Sequence, residues 1–207
     1  MIALSTLDYA SVFVFALSGA LAASRAQLDL VGFAFVACLT AVGGGTTRDV
    51  LLDRNPVFWI DAPGYVILAS AAAVLVFFTA HLVEYRLRML HWLDAVALPI
   101  AVAAGVVAAI ETGQGPIITV LMGVVTGCMG GLLRDVVCNE VPLVLKQGEL
   151  YVSAAFAGAV AAFLASKWSG SLWHILIACV AVTFTLRAGS MIFGWSLPVY
   201  KGRPPRQ

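Results

Sequence analysis

Apolar residues gather along this chain into seven blocks, at about residues 8–24, 28–53, 64–83, 93–110, 116–139, 150–166 and 171–190. Each block is long enough, or nearly so, to cross the ~30 Å hydrocarbon layer of a bilayer as a helix. The second and fifth are long because they run through glycines to stops at Pro56 and Pro142. The fourth holds Pro99, which a membrane helix tolerates where neighbours satisfy the carbonyl that proline leaves free. The pattern predicts an all-α membrane protein, a single membrane domain over residues 1–207 with seven transmembrane helices.

Displaced by 86 positions, the chain aligns with itself without a gap from residue 8 to beyond residue 77. Asp8 falls on Asp94, Gly19 on Gly105, Thr40 on Thr126 and Pro56 on Pro142. Gly44-Gly45 falls on Gly130-Gly131, Arg48-Asp49-Val50 on Arg134-Asp135-Val136, and Tyr65-Val66 on Tyr151-Val152. Chance matching between Ala- and Val-rich helices does not hold Gly-Gly-x-x-Arg-Asp in register with a proline and a tyrosine. Each half contains three spans, so the second half must enter the membrane from the opposite face. The expectation is an inverted repeat of two three-helix bundles, about 8–83 and 93–166, with a seventh helix at about 171–190. Membrane proteins of that kind commonly place their pathway at the repeat interface, near the midplane, on discontinuous helices.

Composition agrees with a membrane protein. Of 207 residues, 61% are hydrophobic and 11% charged, where a soluble domain carries about a quarter charged; the mean hydropathy is +0.98. A net charge of +1 provides no basic field for nucleic acid. Cys38, Cys128, Cys138 and Cys179 stand singly and read as small membrane-buried residues rather than disulfide or zinc ligands. His81, His91 and His174 match no metal spacing and read as interfacial, while Trp59, Trp92, Trp168, Trp173 and Trp195 near predicted helix ends read as an aromatic belt. The leader Met1–Asp8 has no Lys or Arg, so the first block is expected to be a retained helix and not a cleaved signal.

Loop charges set the expected orientation. Arg25, Arg86, Arg88, Lys146, Arg187, Lys201, Arg203 and Arg206 fall on one side, against Arg54 and Lys167 on the other. That asymmetry puts the C-terminus in the cytoplasm and the N-terminus outside the cell membrane.

The chemistry concentrates in two stretches: Gly43, Gly44, Gly45, Thr46, Thr47, Arg48 and Asp49, then Gly130, Gly131, Arg134 and Asp135. A glycine costs a helix interior roughly 1 kcal/mol, and a charge near a bilayer centre at least ~2.5 kcal/mol. Glycines here have two uses. They let helices approach closely, or they permit a kink that frees carbonyl oxygens toward a watery path. The duplicated pairing with Arg-Asp favours kinks that line a pathway. Adjacent Arg and Asp point about 100° apart on a helix and are poorly placed to pair, so the motifs are expected to bridge to each other. Those charges either lock the halves together or face a conduit and modulate cation passage. Asp8 and Asp94, read as helix starts, suit the positive end of the helix dipole. Thr46 and Thr47, matched by Leu132 and Leu133, either line a path on one side or satisfy local carbonyls. No nucleophile–base pair, metal motif or phosphate loop is present; Gly43–Thr47 lacks the Lys and the strand–loop–helix context of a phosphate cradle. An enzyme is not expected.

Across nearly its whole length, from Asp8 to Phe193-Gly-Trp-Ser-Leu-Pro198, the chain resembles prokaryotic members of the trimeric intracellular cation (TRIC) channel family. The resemblance rests on Gly43-Gly-Gly-Thr-Thr-Arg-Asp49 and Gly130-Gly-Leu-Leu-Arg-Asp135. It implies a homotrimer in membrane lipid, with a pore inside each protomer that passes potassium and sodium. It also implies that the second and fifth helices, kinked at their glycines, line that pore, with no cofactor and no fixed metal site, only transient monovalent cations near the kinks. Some prokaryotic relatives are labelled glycine transporters, so the alternative is a secondary transporter of a small amino acid such as glycine.

Overall fold

Helices cover all seven apolar blocks. The computed structural model describes residues 2–83, 85–169 and 171–198, so Lys201, Arg203 and Arg206 of the cationic tail lie outside the described residues. In chain order the helices are α1 (Ile2–Arg25), α2 (Leu30–Leu51), the one-turn α3 (Phe58–Asp61), α4 (Gly64–Thr79), α5 (Arg86–Glu111), α6 (Pro116–Val137), α7 (Val152–Ser169) and α8 (Leu172–Phe193). Six of them are long and apolar enough to cross a membrane, counting the 3₁₀ turn that extends α4, and α7 is a shorter apolar helix. Outward faces carry bare aliphatic side chains, among them Val31 and Ile117 at 76% and 82% exposure. A water-facing surface of this extent would aggregate; lipid accommodates it. This is an all-helical membrane protein.

Local sequence explains the helix ends. Asp29 caps α2, its side chain accepting from the Gly32 N–H at 2.8 Å. Pro116 opens α6, where its missing N–H has no partner to lose. After α2 and α6, Asp53 and Asn139 take left-handed backbone with φ of 51° and 54°. The N–H of the next residue then reaches back 2.8 Å to the carbonyl of Asp49 or Asp135, a left-handed helix stop. These two stops lie 86 positions apart, so the turn chemistry repeats along with the motifs.

The core forms around α1 and α5. Helix α1 packs on α2, α4 and α5, while α5 also packs on α6, α7 and α8. Both helices are rich in buried small residues, Ala16, Ala20 and Ala23 on α1 and Ala101, Ala104 and Ala108 on α5 among them. Helices in lipid gain little from hiding apolar surface, so association relies on close contact between small residues. Gly19 accordingly sits against Thr40, and Gly105 against Thr126 in the same way.

Helices α2 and α6 run without interruption through Gly43–Gly45 and Gly130–Gly131, so the glycines do not unwind the backbone. Nor do Asp8 and Asp94 begin helices: α1 starts at Ile2 and α5 at Arg86. A charge that interrupts an apolar pattern reads as a boundary, whereas here both acids are buried inside the bundle.

Candidate functional site

Two buried arginines organise the interior. Arg48 on α2 and Arg134 on α6 are both 0% exposed. Arg48 donates from Nη1 and Nη2 to the two carboxylate oxygens of Asp8, at 2.8 and 3.3 Å, and from Nε to Asp49 at 2.8 Å. Arg134 donates to both oxygens of Asp94 at 2.8 Å, and from Nε to Asp135 at 2.8 Å. Each guanidinium therefore uses its fork on one aspartate and its remaining edge on another. With all groups ionised, each triad holds two carboxylates to one cation and carries a net charge of −1.

Two sequence readings are corrected by this geometry. The motifs do not bridge to each other; each arginine pairs with an aspartate forty positions earlier in its own half. Arg134 also reaches into the first half, donating from Nη1 to Ser18 Oγ on α1 at 3.0 Å. Adjacent Arg and Asp do pair, because the arginine stem is long enough to curl its Nε back across the 100° step to a short neighbour. Helical wheel angle sets where side chains leave the backbone, not where a four-bond stem ends.

The second aspartate of each triad has a further role. Asp49 Oδ2 accepts the Phe58 N–H at 3.0 Å, and Asp135 Oδ2 accepts the Leu143 N–H at 2.9 Å. Each thus ties the loop that follows its helix to the arginine. The first triad has an additional neighbour, Arg54, with Nη1 3.6 Å from Asp49. The matching position in the second half is Glu140, which instead pairs with Arg25 at 3.1 Å.

Between the triads, α2 and α6 press backbone to backbone. A Cβ added to Gly44 would overlap the Thr126 carbonyl oxygen, and one on Gly130 would overlap the Thr40 carbonyl oxygen. Gly43 faces Leu133, Gly45 lies under the Phe58 ring, and Gly131 lies beside the Tyr151 hydroxyl. The side chains of Thr46 and Thr47 bond back to the carbonyls of Val42 and Gly43, at 2.7 and 2.9 Å. Thr46 also accepts from the indole N–H of the half-buried Trp59 at 2.9 Å, which holds that ring against α2.

Three cavities border these residues. One of about 500 Å³ is lined by Asp8, Asp49, Asp53, Arg54 and Asp61 among others. Another of about 510 Å³ is lined by Arg25, His91, Asp135, Glu140 and Lys146 among others. A central one of only about 10 Å³ lies between Asp8, Thr40, Gly44, Phe58 and Thr126, room for about one water. Phe58 and Asp8 border both the central space and the first large cavity.

Sequence reasoning located both arginines, both following aspartates and all five glycines, but not Asp8 and Asp94 as their partners, nor Phe58. The repeat did align Asp8 with Asp94, and a duplicated acid within the same apolar pattern as a duplicated arginine was the available signal. Phe58 has no such signal, since its counterpart is Val144.

Known proteins share this fold. A family model described as glycine transporter matches residues 5–81 and again 91–167, two matches displaced by the same 86 positions. The solved TRIC trimeric intracellular cation channel orthologue from Rhodobacter sphaeroides is 39% identical, covering 94% of this chain and all of that one, with a TM-score of 0.90. The chain belongs to the prokaryotic TRIC family. Another solved TRIC cation channel is 31% identical over 97% of this chain and 98% of its own, with a TM-score of 0.83. A curated relative, the UPF0126 inner membrane protein YadS of Escherichia coli K12, is 36% identical over 94% of each chain. This TRIC protein is accordingly an integral protein of the cell membrane.

Proposed function

We propose that this protein is a channel for monovalent cations, chiefly potassium and sodium, with a conduction path inside each protomer of a homotrimer. Support comes first from its solved relatives, which are named as trimeric cation channels. The observation that carries the reading is the placement of the two triads. Each triad contributes an aspartate to the wall of a large cavity, and each has one carboxylate more than its buried arginine neutralises, with Arg54 at 3.6 Å offsetting part of the charge on Asp49. Buried arginines in a cation path are otherwise repulsive; here each is outweighed by its own pair of aspartates. A surplus negative charge at a low-dielectric mouth concentrates cations and repels anions, and a single net charge per triad suits a monovalent ion.

The same reading takes the seven apolar helices as seven spans and the two halves as inverted copies. The first large cavity draws on Ser5, Asp53 and Ala62, and the second on Arg25, Leu87 and Lys146. Those two sets lie on opposite sides if every apolar helix crosses the membrane. The first faces outside when the C-terminus is cytoplasmic. Gly43, Gly44, Gly45, Thr46, Thr47, Arg48 and Asp49, with Gly130, Gly131, Arg134 and Asp135, form the wall and ends of the narrow neck. At about 10 Å³ the central space admits no hydrated ion, so conduction requires α2 and α6 to part and Phe58 to swing clear.

A second reading has one observation in its favour. Two open cavities flanking an occluded centre also describe a carrier between its two accessible states, and the matching family model is described as a glycine transporter. Planar-bilayer recording of the purified protein separates the two. Unitary current steps that reverse near the potassium equilibrium potential are expected; silence in bilayers together with saturable, gradient-driven glycine uptake into liposomes would overturn the channel.

A further inference from the structure

Helix α8 is the one long helix without a counterpart in the 86-residue repeat, and it carries a third fully buried arginine, Arg187. Its Nη1 lies 2.8 Å from Glu149 Oε2, near enough for an ion pair though off the line of a hydrogen bond. Its guanidinium stands 5.1 Å from the centre of the Tyr151 ring. Three residues further along α8, Ser190 Oγ accepts the Leu150 N–H at 2.9 Å. Three consecutive residues, Glu149, Leu150 and Tyr151, are thus gripped from one face of α8. Lys146 holds the other oxygen of Glu149 at 2.9 Å.

Those three residues end the loop that leads from α6 to α7. The same loop supplies Leu143, whose N–H caps Asp135, and Glu140, Leu143 and Lys146, which line the cavity at that mouth. In the first half the matching residues are Pro63, Gly64 and Tyr65. Tyr65 stacks on Tyr9 and stands edge-on to Phe58, and among the described residues no ion pair holds that stretch to another helix. Among the described residues, one mouth is fastened by an ion pair from outside the repeat and the other is not.

Stability alone does not account for Arg187. A buried ion pair is commonly no better than well-packed apolar residues of the same size, and Arg187 Nε and Nη2 have no hydrogen-bond partner among the described residues. What the pair does supply is a fixed geometry between α8 and the loop.

We propose that Arg187 is a positioning residue for conduction: through Glu149 and Tyr151 it latches the α6–α7 loop to α8 and so sets the shape of the Asp135 mouth, leaving the Asp49 mouth as the one that moves. The inference rests on the channel reading for its effect on current, but the latch itself can be observed without current. Cys138, half-buried at the start of the loop, is a native reporter. Burial and the neighbouring Glu140 carboxylate raise its thiol above the usual range, so labelling is run at alkaline pH.

The experiment compares wild type with Arg187→Gln, Arg187→Lys and Glu149→Gln, each purified as the full-length protein with an unchanged elution profile. The rate at which a charged methanethiosulfonate modifies Cys138 is read by mass spectrometry, and mean open time by bilayer recording. Expected are labelling at least threefold faster and an altered open time in Arg187→Gln and Glu149→Gln, with Arg187→Lys restored toward wild type because its ammonium still reaches Glu149. Wild-type rates in both neutral variants would overturn the latch. Should Arg187→Gln fail to fold, Glu149→Gln, whose side chain is partly exposed, decides alone. A wild-type protein silent in bilayers would overturn the channel reading, and the labelling rates would still decide the latch.

Discussion

Arg134 and Asp94 meet through two parallel hydrogen bonds of 2.8 Å, with both side chains 0% exposed. Removing one partner of such a pair leaves an uncompensated charge in a low-dielectric interior, at a cost of about 3–5 kcal/mol. Asp94→Asn is expected to lower the thermal midpoint sharply and to reduce the yield of assembled protein, measured by fluorescence-detected size-exclusion after heating. Asp8→Asn should cost less, since the Asp8 side chain is 7% exposed and its second bond to Arg48 is longer, at 3.3 Å.

Asp49 and Asp135 supply the surplus charge while the forked pairs remain intact. Asp135→Asn and Asp49→Asn are therefore expected to fold and conduct, with cation-over-chloride preference reduced about fivefold, the effect of ~1 kcal/mol for one charge at about 4 Å in water. Reversal potentials in a potassium chloride gradient measure this. An unchanged reversal potential in both variants would remove the triads from the selectivity mechanism.

The contact between α2 and α6 leaves no room for a methyl group. Gly44→Ala and Gly130→Ala each drive a Cβ into a backbone carbonyl of the facing helix, and overpacking of this kind costs about 1–3 kcal/mol. Both should lower the thermal midpoint, whereas Gly115→Ala, with open space around the added carbon, should not.

Phe58 separates the first large cavity from the central one and covers Gly45. Its ring also lies 5.4 Å from the Arg48 guanidinium carbon. Phe58→Ala is expected to raise open probability or background leak severalfold in bilayers, with the Arg48 pairing preserved.

Glu149 gives a pH signature. Burial alone would raise its carboxyl pKa, but pairing with Lys146 and Arg187 outweighs this and holds it below the ordinary 4.5. A depressed carboxyl stabilises the native loop fully above about pH 4.5, and that contribution is lost as the pH falls below it. Thermal stability recorded between pH 7 and pH 3 should drop on acidification, and Glu149→Gln should flatten that part of the curve.

Much of the bundle could be read from where apolar residues cluster, because lipid demands uninterrupted helices and penalises stray charge. The repeat was equally legible, since Arg48 and Arg134 fall in register with Asp8 and Asp94 whichever partner each chooses. The partners themselves were missed because pairing depends on how far α1 and α5 extend toward their N-termini, which an apolar-window reading cuts short at the first acid. The role of Gly44 is ambiguous in sequence for a related reason. A glycine in sequence shows that a side chain is unwelcome, but not which neighbour excludes it; at Gly44 the Thr126 carbonyl does. Arg187 was counted only as loop charge, since nothing near it in sequence points to Glu149.

The reciprocal seating of Gly44 on Thr126 and Gly130 on Thr40 has a genetic corollary. Descendants of a duplicated ancestor are free to drift apart wherever each fold unit touches only itself. At these four sites a change in one unit must be answered by the other, so a chain severed between α4 and α5 and co-expressed as two pieces should reassemble through this joint.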